Sequence, residues 1–271
     1  MISSIHVALT AVPPSGRPFA AAPCLGVPPV YSSVGSPWNV HEERTGFLTA
    51  RQSAEWVVCY TRCMRTPQQL TAITNFVWAG EALAAGGFLL ARAGRVSSAA
   101  GWWALAVLSM GISALIGGIG HGFFEPEGKT PAWRAMDKAK DLSAGLIACF
   151  VLLTAGRQFF GPRAQLIVLV IALVQFGAFA AAVIMLDSFL VVIVDYAPVV
   201  LLLLVLSILG LAEGTGSWQM IVGLVISVVA SLCQALGVDT FSPLDRNGLY
   251  HVVLMAATVF LFLGGLRLSG G

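Results

Sequence analysis

Beyond residue 65 the sequence runs as seven long apolar stretches, about Leu70 to Ala91, Ala100 to Phe123, Leu142 to Ala155, Ala164 to Leu186, Ser188 to Ala212, Ser217 to Val238 and Leu249 to Leu266. Most approach the ~20 residues that carry an α-helix across hydrocarbon. Amide groups in hydrocarbon must bond within their own segment, and no even series of roughly ten-residue alternating strands appears that would close a barrel. The predicted fold class is therefore an all-α membrane protein, a seven-transmembrane-helix bundle over residues 66–271. Composition agrees: 57% of the 271 residues are hydrophobic and 10% charged, against roughly 25% charged in soluble domains. A water-soluble globular protein is excluded, and the lipid bilayer is the first expected partner. A helical multi-pass chain of this kind is expected in a bacterial inner (plasma) membrane.

Residues 1–65 are a different material. Seven of the thirteen prolines lie there, with Gly, Ser and mixed charges, and the segment is expected as a disordered tail. Arg51 to Tyr60 has the pattern of a short interfacial helix. Met64 stands just before Thr66 and Pro67, so an alternative is that translation begins there and the preceding text takes no part in the fold.

The fourth and fifth stretches nearly fuse. Their division rests on Asp187, Asp195 and Pro198, with the proline expected in a first helical turn, where it is tolerated, and Asp195 expected as a cap. Alternation of seven spans puts His121, Asp141, Asp187, Asp195, Asp239, Asp245, Asn247 and His251 on one membrane face. Arg92, Arg95, Arg157, Arg163 and Glu213 fall on the other. The larger group of basic residues lies on the N-terminal side, which is expected to be cytoplasmic.

Any chemistry is expected on the His-bearing face. His121 follows Gly117, Gly118 and Gly120, small residues that let a neighbouring helix approach. His251 lies about one turn into the last span, and Glu81 is the charge deepest in hydrocarbon. Ionisable groups at such depth are expensive unless partnered, which makes each a candidate site residue. For Glu81 the alternative is a structural hydrogen bond to Asn75, Gln175 or Gln234. Trp102, Trp103, Trp133, Trp218 and Tyr250 are expected as interfacial anchors, Cys149 and Cys233 as apolar fillers, and Cys59 with Cys63 as no metal site. No lysine falls in the seven stretches, which leaves a retinal Schiff base no attachment point, and no P-loop pattern is present. No basic run suggests nucleic acid.

The glycine-rich second span ending in His121, Asp141 opening the third, and Tyr250-His251 opening the seventh resemble the pattern of the CREST superfamily, seven-helix hydrolases that include alkaline ceramidases and progestin/adiponectin-receptor-like proteins. The likeness covers roughly Pro67 to Leu266, and the chain looks closer still to an uncharacterised bacterial branch with the same reduced motif set. The resemblance implies histidines holding zinc and hydrolysis of a lipid amide or ester. Carried across, His121 and His251 would hold the metal, and Asp141 would position or deprotonate water, with Glu81 the other candidate catalytic carboxyl. Two positions depart: Gly117 stands where the family has serine, and Met255 where it has a second histidine on the last span. A catalytic zinc takes three protein ligands plus a water, so Asp141, Asp195 or Glu125 would have to supply an oxygen. The main expectation is a pocket built from Glu81, His121, Asp141, Asp195 and His251, open to a lipid-like small molecule. The alternatives are a non-catalytic receptor-like, scaffold or small-solute transport protein keeping the same fold, and a haem held between the two histidines.

Overall fold

The computed structural model describes residues 67–125, 128, 130–188, 190–238 and 244–268. The expected tail, Cys59, Cys63, Glu127, Lys129 and Asp239 lie outside these. Among the described residues there are seven α-helices: α1 Pro67–Arg92, α2 Ala99–Ile119, α3 Pro131–Phe159, α4 Pro162–Met185, α5 Leu190–Ala212, α6 Trp218–Ala235 and α7 Arg246–Leu268. All seven are long and apolar enough to cross a membrane, so the protein is an all-α polytopic membrane protein. Among the described residues there is no strand.

The helix starts are written locally. The hydroxyls of Ser98, Thr130 and Ser217 accept from the amides of Gly101, Trp133 and Met220 at 3.1, 3.1 and 3.4 Å, and Asp245 Oδ1 accepts from Gly248 N at 2.7 Å. Each satisfies an amide that the first turn leaves without a partner. Pro131 and Pro162 occupy first-turn positions where no N–H is needed. Gly94, Gly214 and Gly237, at φ 65°, 73° and 67°, turn the chain after α1, α5 and α6 in a region that side chains with a Cβ avoid.

Three expectations are corrected. The third span begins at Pro131, not Leu142, because the charges of its first turns pair along the helix: Lys140 Nζ lies 2.5 Å from Asp137 Oδ1 and 3.5 Å from Asp141 Oδ1. Lys138 and Lys140 are thus helical residues of a span and not loop residues. Pro198 lies in the interior of α5, where it leaves the carbonyl of Val194 without its amide, a defect that membrane helices tolerate when neighbours compensate. Of the expected interfacial aromatics, Trp103 is fully buried, its Nε1 donating to Leu261 O at 3.1 Å, and Tyr250 faces the interior described below.

Six helices form a ring in the order α1, α2, α3, α5, α6, α7, with α7 returning to α1; α4 lies outside it against α3 and α5. That placement matches the residues of α4, of which only Ala172, Phe179 and Val183 are buried. In lipid the driving force between helices is close packing of small residues rather than escape from water. Gly86 and Gly111 let α1 and α2 interlock, since a Cβ on Gly86 would come within 2.8 Å of Leu108 and one on Gly111 within 2.7 Å of Leu83. Gly223 against Leu261 and Gly264 against Met220 do the same for α6 and α7. At one end the ring is closed by Trp103 packed on Leu89 and Gly265. At the other end it is not filled.

Candidate functional site

The unfilled end is a cavity of about 580 Å³ lined by side chains from all six ring helices and none from α4. On α7 the lining positions Asn247, Tyr250, His251, Leu254, Thr258 and Leu261 are spaced three and four apart, one face of one helix. On α6, Ser227, Ser231 and Gln234 repeat the same spacing. From Arg246 to Leu261 the wall descends ~22 Å at 1.5 Å per residue, and its character changes with depth. His121, Gln234, Asn247 and His251 stand near the helix ends, Lys140 and Asp141 stand about ten residues into α3, and Met110, Ile147, Leu254 and Leu261 stand deeper, with Thr258 among them.

His121, Asp141 and His251 therefore share one cavity, where the span alternation had put them only on one membrane face. His121 lies in a π-helical turn, Gly120–Phe124, that prolongs α2, a local widening frequent at functional sites. The turn sets the imidazole one helical turn from Glu125, whose Oε2 lies 2.6 Å from Nδ1. The preceding glycines do what their size suggested: a Cβ on Gly117 would meet Asn75 Oδ1 at 3.1 Å, and one on Gly118 the ring of Phe76 at 3.0 Å. His251 is buried and stacks on Trp78 with ring centroids 5.7 Å apart and planes 24° from parallel. Its Nδ1 lies 3.3 Å from Thr74 Oγ1. Thr71 ties the same corner together, donating to Asp245 Oδ1 at 2.7 Å. Asp141 is buried beside Lys140.

The structure does not bring the other two expected carboxyls to this cavity. Glu81 is half-buried on the flank of α1, between lipid-facing Val77 and Phe88, and among the described residues it forms no hydrogen bond or ion pair. Its expected partners are engaged elsewhere: Asn75 donates to Thr71 O and Gln234 to Asn247 Oδ1. Asp195 is no cap. It lies inside α5 and accepts from Gln175 Nε2 of α4 at 2.5 Å, so it ties α4 to the ring. Asp187 pairs with Lys138 at 3.2 Å. Met255, where a second histidine would stand, packs against the hydrophobic core and not the cavity.

Several lining residues carried no weight in the sequence. Lys140 read as the flank of a shorter span, which removes the ground on which a lysine-linked chromophore was set aside; its ammonium is instead held by Asp137 and Asp141. Trp78 lies too deep for an interfacial anchor, and its Nε1 donates to Thr258 Oγ1 at 3.0 Å. A signal for it existed, since a tryptophan mid-span departs from the usual belt at the membrane surface. The Ser227, Ser231, Gln234 series was equally legible as polar positions at helical period in an apolar span.

The donor set does not suit a catalytic zinc. Among the described residues no group of three or more His, Cys, Asp or Glu side chains converges to hold an ion. Glu125 is occupied in orienting His121, and Asp141 faces an ammonium. A site of two imidazoles falls short of the three protein ligands that such chemistry needs.

Residues 70–269 match a family of unknown function (DUF6962). The chain belongs to that family. No curated protein and no solved structure matches it.

Proposed function

We propose that this protein binds one lipid-like amphiphile inside the membrane, acting as a receptor-like or carrier protein of the bacterial inner (plasma) membrane. The observation that carries the reading is the 580 Å³ cavity, a size typical of sites for one small molecule, whose wall is rich in polar side chains toward one end and mainly apolar at depth, Ser227 and Thr258 being the polar residues there. A molecule with a polar head and an apolar body matches that gradient, and the surrounding bilayer supplies such molecules. Kinship with the CREST superfamily, which we also propose, is supported by the meeting of His121, Asp141 and His251, the residues that carry the resemblance. Glu81 has no part in this reading.

The test is native mass spectrometry of the full chain purified in mild detergent. One co-purified lipid per chain is expected, lost in Ala144→Phe and in Ser231→Leu, each of which places bulk in the cavity, with circular dichroism unchanged. Folded variants that keep the lipid, or wild-type chain with none, would sink the proposal.

A second reading, hydrolysis of a lipid amide or ester in the same cavity, is favoured by the His121–Glu125 pair. A carboxylate holding Nδ1 orients an imidazole whose Nε2 can then serve as a general base. It predicts fatty-acid release from a lipid amide or ester that is abolished by His121→Phe and reduced at least ~10-fold by Glu125→Gln. Absence of release from wild type excludes it. Metal content and the absorption spectrum of the same sample decide whether the two histidines hold an ion or a haem.

A further inference from the structure

A second, smaller pocket lies at the membrane face opposite the cavity, where α3 turns into α4. On α3 its wall is Leu153, Gly156 and Arg157, spaced three and four apart on one helix face. On α4, Gln165, Leu166 and Leu169 repeat that spacing. Trp102 of α2 closes the back, its ring stacked on Phe150 with centroids 5.8 Å apart and planes 18° from parallel. Gly156 brings the two helices together at this level, since a Cβ there would come within 2.9 Å of Val168.

The pocket measures about 230 Å³, less than the ~300–1,000 Å³ that encloses a whole small molecule. It can take only part of a ligand, whose remainder stays outside. On one side that outside is hydrocarbon, because α4 stands against the ring from without and Leu166 is 64% exposed. At the rim stands Arg157, an exposed residue in the last turn of α3. Its Nη1 donates to Gln165 Oε1 at 2.6 Å, and Gln165 Nε2 donates in turn to Phe160 O at 2.7 Å. Both ends of the Gln165 amide are thus engaged, and they fix the direction of the guanidinium. A guanidinium offers several N–H donors in a planar fork. Gln165 is its one hydrogen-bond partner among the described residues, so the other donors are unspent.

We infer that this pocket binds an anionic phospholipid of the surrounding bilayer, its phosphate on Arg157 and one acyl chain along Leu153, Leu166 and Leu169. Two phosphate oxygens match the guanidinium fork. Depth agrees, since Arg157 stands in the last turn of α3 and Leu153 one turn further into the membrane, the order in which a bilayer lipid presents head and chain. Charge chooses the class of head. This face carries Arg92, Arg95, Arg157, Arg163 and Arg267 against Glu213, the one acid among its described residues. Such a field favours a head with phosphate alone over one that adds an ammonium beside it. The site is separate from the cavity and does not rest on the amphiphile reading above.

A pocket open along α4 exchanges its occupant with detergent, so the experiment adds lipid back. The delipidated full chain is titrated at fixed ionic strength with phosphatidylglycerol and with phosphatidylcholine of the same acyl chains, and bound lipid is read by native mass spectrometry. Wild type is expected to hold phosphatidylglycerol about fivefold more tightly, the ratio that a charge-assisted hydrogen bond supplies once discounted for exposure. Ser231→Leu, which places bulk in the cavity, is expected to keep that ratio. Arg157→Gln is expected to bring it near one with the unfolding midpoint unchanged. Arg267→Gln, which removes the same charge from the same face across the ring, is expected to leave it as in wild type. A wild type without the preference, a preference that survives Arg157→Gln, or an equal loss in Arg267→Gln overturns the proposal, the last by assigning the effect to the net charge of the face. Loss of the preference in Ser231→Leu also overturns it, by moving the lipid to the cavity.

Discussion

Glu81 and Gly117 show how differently a single residue reads before and after its neighbours are known. A carboxyl eleven residues beyond Leu70 demanded an explanation from the sequence, because a charge at that depth costs about 2.5–3.5 kcal/mol. The structure gives it no partner among the described residues and a flank that meets lipid. Glu81→Leu is therefore expected to stabilise the protein by about 1–3 kcal/mol, seen as a higher midpoint in thermal unfolding of the detergent-solubilised chain; a lower midpoint would mean that the carboxyl has a structural duty. Gly117 stands where the resembling family has serine. A Cβ there would lie 3.1 Å from Asn75 Oδ1, a hydrogen-bond acceptor, and 3.7 Å from Lys140 Cδ. Gly117→Ser is expected to fold with a stability change within about 1 kcal/mol. Gly111→Leu, whose added bulk meets the backbone nitrogen of Leu83, is expected to cost about 1–3 kcal/mol or more, measured by the same unfolding midpoint.

At the scale of the helix, the errors of sequence reading had one cause. Window-based reading treats a charge as the end of a span, yet all four charges sit on α3: Lys140 pairs with Asp137 and Asp141, Lys140 and Asp141 reach a polar cavity, and Lys138 pairs with Asp187. Asp195 and Pro198 looked like boundary markers for the same reason, and both are interior to α5. Asp195 is instead half of the tie to α4 through Gln175. Interhelical hydrogen bonds in membranes average about 0.6 kcal/mol, with a ceiling near ~1.7. A double-mutant cycle of Gln175→Leu and Asp195→Leu is expected to give a coupling energy of about 1 kcal/mol in steric-trap or thermal unfolding; a value of zero would show that packing alone holds α4.

For the whole molecule, odd span number and alternation placed the turn between α2 and α3 and that between α4 and α5 on one face, with the turn between α5 and α6 on the other. Single cysteines at Gly128 and Ser188, introduced into a cysteine-free chain, are expected to react with a membrane-impermeant maleimide from one side of sealed vesicles. A cysteine at Gly214 is expected to react only from the opposite side. Labelling of Gly128→Cys and Gly214→Cys from the same side would dismantle the seven-span topology. The ring of six helices with α4 outside it is a tertiary result. Nothing in the composition of α4 separates it from α5, and its low burial became visible only with its neighbours in place.

Apolar length and the cost of unpaired amides in hydrocarbon were sufficient for the sequence alone to determine seven helices, their order, and the face shared by His121, Asp141 and His251. Those constraints act within one segment or count crossings, so no partner need be known. Tertiary structure decided that the three residues line one cavity, that Glu81 and Asp195 do not, and that both imidazoles turn Nδ1 to a polar side chain of the protein. Such outcomes depend on how helices rotate about their own axes, which small residues such as Gly86, Gly111 and Gly118 set through close packing. In lipid, that rotation leaves only a faint trace in the order of residues along a single helix.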